Sequence, residues 1–234
     1  MVTDVATGEV AVGRFGWSQV PNLLQFSGDA YLNEMGITTP MFPNENCPQG
    51  NCAMLACDPV PGADDDLVDV DLFRDFMSFL APPTPGGSSR PYPGHGWRHF
   101  VGHAGPSSPQ GPYQADRLFA QVGCADCHVP SLMSGPSAVT ALRYKRFQPY
   151  SDFLLHDMGG LGDGIEQGQA TGREMRTAPL WGLRLITTFL HDGRAHSIED
   201  AILAHDGQAG GARDRFSALS PAQKNALLAF LGAL

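Results

Sequence analysis

The sequence has no uninterrupted apolar run of the ~18 residues that a membrane-spanning helix needs, so nothing in it spans a bilayer that way. Its first residues, Met1-Val2-Thr3-Asp4, lack the basic and apolar regions of a secretory signal. Basic residues are few: 15 Lys and Arg stand against 24 Asp and Glu, for a net charge of −9, and no basic stripe forms. Phosphate binding needs clustered cations, so nucleic acid is excluded as a partner. Cysteine is scarce as well. Only one pair among the five has C-x-x-C spacing, which speaks against a four-ligand zinc site. The main charge concentration, Asp64, Asp65, Asp66, Asp69, Asp71 and Asp75, lacks the glycine and terminal glutamate of a calcium-binding EF-hand loop. It reads instead as a solvated helix start.

The most informative stretch that is present is Cys124-Ala125-Asp126-Cys127-His128. A C-x-x-C-H run is the attachment signature of a c-type haem. Its two thiols each form a thioether to a haem vinyl group, and the following imidazole lies beneath the iron as proximal ligand. A thioredoxin-like dithiol is the main rival, but it belongs beside a strand–helix unit, and the flanking residues do not read as one.

At 234 residues, 42% of them apolar, the chain suits one large domain or two small ones with a real core. Its 28 glycines and 19 prolines predict extensive loops. A haem tolerates that, since the macrocycle offers loops a large apolar surface. Residues 1 to about 62 read as turn-rich, with amphipathic candidates at 20–26 and 30–35. Cys47, Cys52 and Cys57 recur every five residues, which predicts one local disulfide in an exported protein without saying which two pair. Leu72, Phe73, Phe76, Phe79 and Leu80 share one helical face, stopped by Ala81-Pro82-Pro83. His95, His99 and His103 lie in a Pro- and Gly-rich linker, where loop histidines are favoured over a metal site. A helix over 114–122 runs into the haem signature, and mostly loop follows from Pro130 through Gly172. Ser197 with Asp200 opens a helix over 198–205. Ser220-Pro221 with Gln223 opens the last one. The expected fold is mainly α with extensive loops: an irregular, partly helical segment over 1–111 with the disulfide loop, then a cytochrome c-like haem domain over 112–234.

Several strings resemble the bacterial di-haem oxidoreductase, or di-haem peroxidase, family, which is related to di-haem cytochrome c peroxidases. They are Gly13 to Trp17 (GRFGW), Phe119 to Pro130 (FAQVGCADCHVP), Tyr150 to Gly159 (YSDFLLHDMG), Glu174 to Gly182 (EMRTAPLWG) and Phe189 to Arg194 (FLHDGR). They follow one another in family order. The resemblance implies two cytochrome c domains, each with its own C-x-x-C-H, whereas only one signature occurs here. It therefore implies that this chain corresponds to the middle and C-terminal haem portion, a truncated product, which accords with the missing signal.

The resemblance also implies a second axial position fourteen residues after His191, which is His205. Imidazoles from His128 and His205 would make a six-coordinate, low-spin iron suited to electron transfer. Met158, Met175 and an open position are the alternatives, and a histidine that merely favours the end of its helix is the plain reading of His205. His156 and His191, each followed by Asp, are candidate acid–base groups should the iron keep an open position for hydrogen peroxide. His191 also reads as a group hydrogen-bonded to the haem periphery or as a structural turn. Arg176 and Arg194 are candidates to neutralise propionates, while Trp17, Trp97 and Trp181 read as packing residues. The reading is thus one covalent haem c that passes single electrons to a small redox protein or another haem domain, in the periplasm or elsewhere outside the cytoplasm. Its rivals are a single-haem peroxidase and a haem-free disulfide or metal-binding module.

Overall fold

The computed structural model describes residues 1–16, 18–57, 61–83 and 112–234. Trp17, Trp97, His95, His99 and His103 lie outside them, as does the side chain of Cys57. The chain divides into two compact units, residues 1–81 with 166–170, and residues 82–165 with 171–234.

In the first unit β1 (Val2–Thr3) pairs antiparallel with β2 (Val10–Ala11). The buried Asp4 carboxylate accepts from Asn22 Nδ2 at 2.7 Å, and Asn22 Oδ1 in turn accepts from the Gln25 amide at 2.9 Å. That bond caps α1 (Leu23–Ala30), which widens into a π turn over Tyr31–Met35 and ends at left-handed Gly36. Cys47 and Cys52 form the local disulfide. Helix α2 (Val68–Ser78) packs on α1 with Val70 fully buried and Phe73 ringed against Tyr31. The apolar row foreseen from spacing does not turn inward: Leu72, Phe76, Phe79 and Leu80 are 64, 62, 57 and 59% exposed. Phe73 borders this row, its ring stacked on Phe76 at 6.4 Å, and Phe79 and Leu80 lie just past the helix end, so most of the apolar face defined by spacing stays exposed. Spacing located the helix but could not choose which face packs.

The second unit opens with α3 (Pro112–Val122). The long loop after it carries two small antiparallel ribbons, β3 (Leu132–Met133) with β4 (Arg146–Phe147) and β5 (Leu155–Asp157) with β6 (Glu174–Arg176). Three helices follow: α4 (Ile198–Leu203), α5 (Gly210–Ser217) and α6 (Pro221–Leu231). The Ser197 and Ser220 side chains cap α4 and α6, the latter in a full capping box with Gln223. Helix α3 packs on α6, and the core joins Phe119, Val122, Tyr150, Phe216, Leu227 and Leu231. Phe119, Tyr150 and Phe230 meet edge to face at 5.8–5.9 Å. The extensive loops are as expected. The expectation of a mainly α chain is corrected: with six helices and three two-stranded sheets among the described residues, the fold is mixed and loop-rich. The ribbons are too short to leave a period-2 signal.

Candidate functional site

The site is built on the turn that ends α3. Gly123, at φ +90°, takes the left-handed conformation that stops the helix, and Cys124–Asp126 follow as a single tight turn. The His128 amide donates to the Cys124 carbonyl at 2.8 Å, closing the signature into one compact loop. Both thiols are free. Burial pushes the Cys124 thiol up to about 11 and raises that of Cys127 too. Thiols raised in this way contrast with those of a redox-active dithiol, which are activated by a depressed pKa.

A second segment, residues 149–153, is stitched across the signature. The Ser151 amide donates to the Val129 carbonyl at 3.0 Å and the Asp152 amide to the Cys127 carbonyl at 2.9 Å. Tyr150 and Phe153 have φ of +50° and +59°, a left-handed backbone that is costly for such large residues. The first of these turns sets the Tyr150 carbonyl against the His128 ring, whose Nδ1–H donates to it at 2.8 Å. That bond fixes the tautomer and leaves Nε2 as the basic nitrogen. Desolvation holds the His128 pKa down to about 4, so the imidazole is neutral at physiological pH.

His205 follows the C-terminus of α4. Its Nδ1–H donates to the Ala201 carbonyl at 2.7 Å, so here too Nε2 is the basic nitrogen. Burial lowers its pKa as well. The rings of His128 and His205 lie 6.4 Å apart between centroids, inclined by 52°. Metal–imidazole bonds of about 2 Å, with just over 1 Å from each nitrogen to its ring centre, put two trans imidazoles roughly 6 Å apart. Two free thiols and two neutral imidazoles at that spacing are a donor set that fits a c-type haem.

The other candidates distribute differently. His156, on β5, has Nδ1 3.8 Å from Cys127 Sγ and Nε2 2.9 Å from Asp152 Oδ2. Burial would raise the Asp152 pKa, but hydrogen bonds from Leu154, His156 and Thr177 outweigh it and leave the carboxyl below its usual range. Cys127, Asp152 and His156 offer metal-ligand atoms within 4.8 Å of one another. With His156 hydrogen-bonded to both neighbours, the three form one compact cluster beside the C-x-x-C-H turn. Met175 is buried on β6 opposite His156, and Met158 is half-buried in the turn after β5. Arg176 is half-buried with its guanidinium 5.9 Å from the centre of the Phe153 ring, and desolvation lowers its pKa. His191 and Arg194 occupy an exposed turn, where Arg194 is ion-paired with Asp192. Trp181 donates to the Gln148 carbonyl at 2.6 Å.

Sequence reasoning missed the groups that hold the imidazoles. The acceptors are backbone carbonyls of Tyr150 and Ala201, which no residue-type motif records. It also missed Asp206, Arg213 and Arg215. The Arg213 guanidinium donates to the His205 carbonyl at 3.0 Å and to Asp206 Oδ1 at 3.3 Å, and Asp206 Oδ2 accepts from the Gly160 amide at 2.9 Å.

A protein-family model described as "Di-haem oxidoreductase, putative peroxidase" matches residues 110–234, just over half of the chain. The match takes in the C-x-x-C-H signature and the strings at 150–159, 174–182 and 189–194, and leaves the Gly13 string outside. No curated protein and no solved structure matches the chain.

Proposed function

The chain belongs to the di-haem oxidoreductase family, and from that premise we propose that residues 112–234 form a cytochrome c-like domain with one covalent haem that passes single electrons. In this reading Cys124 and Cys127 carry the thioethers, and His128 and His205 are the two axial ligands. The observation that carries it is the pair of imidazoles, 6.4 Å apart, each with Nδ1 bound to a carbonyl and Nε2 left for a metal. Haem bound there supplies a one-electron iron couple, at a lower potential with two imidazoles than with imidazole and thioether. The Tyr150 and Ala201 carbonyls orient the rings and raise their basicity. Phe119, Tyr150 and Phe230 pack α3 and α6 together behind the signature. Arg176, half-buried on β6, and Arg194, in the exposed turn after His191, are the candidate cations for the propionates. A small redox protein or another haem domain is the electron partner, outside the cytoplasm, where thioether attachment takes place. Among the described residues no helix is long and apolar enough to cross a membrane.

The family description favours a second reading, a peroxidase acting at an open iron position. His156, paired with Asp152 beside Cys127, is then the acid–base group for hydrogen peroxide.

The test is the ferric and ferrous absorption spectrum of protein matured with cytochrome c machinery, as wild type and as His205→Ala, with a pyridine haemochrome assay of covalent haem. A low-spin wild type that becomes high-spin in the variant is the expected outcome. A wild type that is already high-spin and does not respond to the substitution transfers the conclusion to the peroxidase reading. Protein that acquires no haem would leave a disulfide-bearing or metal-binding module.

A further inference from the structure

Helix α5 sends two arginines in different directions, and each ends on a segment that carries one of the facing imidazoles. Arg215 Nε donates to the Val122 carbonyl at 2.8 Å, the last residue of α3, two positions before Cys124. A Cβ at Gly123 would lie 2.3 Å from Arg215 Nη2, so the glycine both turns the chain and makes room for the guanidinium. Arg213 reaches the other segment. Its Nη1 donates to the His205 carbonyl at 3.0 Å and to Asp206 Oδ1 at 3.3 Å, while Nε is anchored on Asp214 at 2.9 Å. Asp206 carries the tie onward by accepting from the Gly160 amide, and Gln208 Oε1 accepts from the Asp157 amide at 2.9 Å. The two backbones meet closely there: a Cβ at Gly207 would stand 2.3 Å from the Asp157 carbonyl oxygen. Phe216, the residue after Arg215, is fully buried in the core and anchors the helix that bears both arginines.

We infer that Arg213 and Arg215 are positioning residues that tie the His205 loop and the Cys124–His128 turn to one rigid helix and so set the separation of the two imidazoles. Neither touches the iron site; each acts through a backbone carbonyl of a segment that does. A planar guanidinium suits this role because it can serve two acceptors at a fixed angle, which an ammonium does only loosely. The inference rests on the reading of His205 as an axial ligand.

The experiment compares haem-loaded wild type with Arg213→Met, Arg213→Lys, Arg215→Met and His205→Ala. The readouts are ferric spin state and the rate of cyanide binding, which requires an axial position to open. Arg213→Met keeps the aliphatic stem and removes the charge-assisted bonds; cyanide binding is expected to accelerate roughly tenfold, with partial recovery in Arg213→Lys. Arg215→Met is expected to act in the same direction. Variants with a lowered Tm but wild-type spin state and cyanide rate would overturn the inference by making the arginines merely structural. Should Arg213→Met fail to accumulate, Arg213→Lys and Arg215→Met decide on the same two readouts. His205→Ala separates the premises: if it leaves the wild-type low-spin spectrum intact, the ligand reading itself fails. If it turns high-spin while the arginine variants do not respond, the positioning inference alone fails.

Discussion

Tyr150 acts through two different atoms. Its carbonyl holds the His128 ring, and its phenol side chain is buried in the core with only 7% exposure. Burial, with a smaller contribution from Asp116, pushes the phenol up to about 12 from an ordinary value near 10. A pKa raised in the folded state favours the neutral phenol there, so the associated stability is complete below pH ~10 and is lost as pH rises towards 12. Two pH units correspond to about 3 kcal/mol at most. Tyr150→Phe removes the titration while keeping the ring. Urea unfolding at pH 9 and pH 11.5 is expected to show a marked alkaline loss for wild type and a much smaller one for the variant. An equal loss in both would assign the alkaline sensitivity to other groups. At this scale the signature was legible because it depends on residue types at fixed spacing, as Cys124, Cys127 and His128 show. The carbonyl of Tyr150 was not, because any residue provides a carbonyl and only the positive φ at this position aims it.

Among the elements, α3, α4 and α6 were foreshadowed by caps and apolar periodicity, while α5 was not. Its sequence, Gly210-Gly211-Ala212-Arg213-Asp214-Arg215-Phe216-Ser217, opens on two glycines and contains a single large apolar residue. Neither propensity nor pattern predicts a helix there. What secures it is tertiary: Phe216 inserts into the core with Leu227 and Val122, and the arginines bond to carbonyls of neighbouring segments. Phe216→Ala would therefore remove the apolar anchor of an element with little intrinsic helicity. The expected cost is about 3–5 kcal/mol, read as a shift in the urea midpoint with an unchanged slope. Since α5 ties both imidazole-bearing segments, the same variant should also raise the high-spin fraction of the loaded protein. A loss of stability with no spectral change would mean that the two segments hold their spacing without the helix.

Along the whole sequence, charge is divided unevenly. Residues 1–81 contain twelve acidic side chains against Arg14 and Arg74, a net charge of −10, and the remaining residues carry a net +1. The exposed row that runs from α2 into the turn after it, Leu72, Phe76, Phe79 and Leu80, sits within that acidic stretch beside Asp69 and Asp75. Two forces therefore act on encounters between copies of the chain. Exposed apolar side chains in a row favour association, and the acidic stretch opposes it through repulsion that reaches ~30 Å at 0.01 M salt but only ~3 Å at 1 M. The balance should tip with ionic strength. Sedimentation velocity is expected to find monomer in dilute buffer and a growing dimer fraction as salt is raised, against the usual direction for ion-paired interfaces. Leu72→Ser with Phe76→Ser should abolish the dimer without altering the haem spectrum, because the row and the imidazole pair lie in separate compact units. Association that weakens with salt, or that survives the double substitution, would place the contact elsewhere on the molecule and leave the α2 row without a role in it.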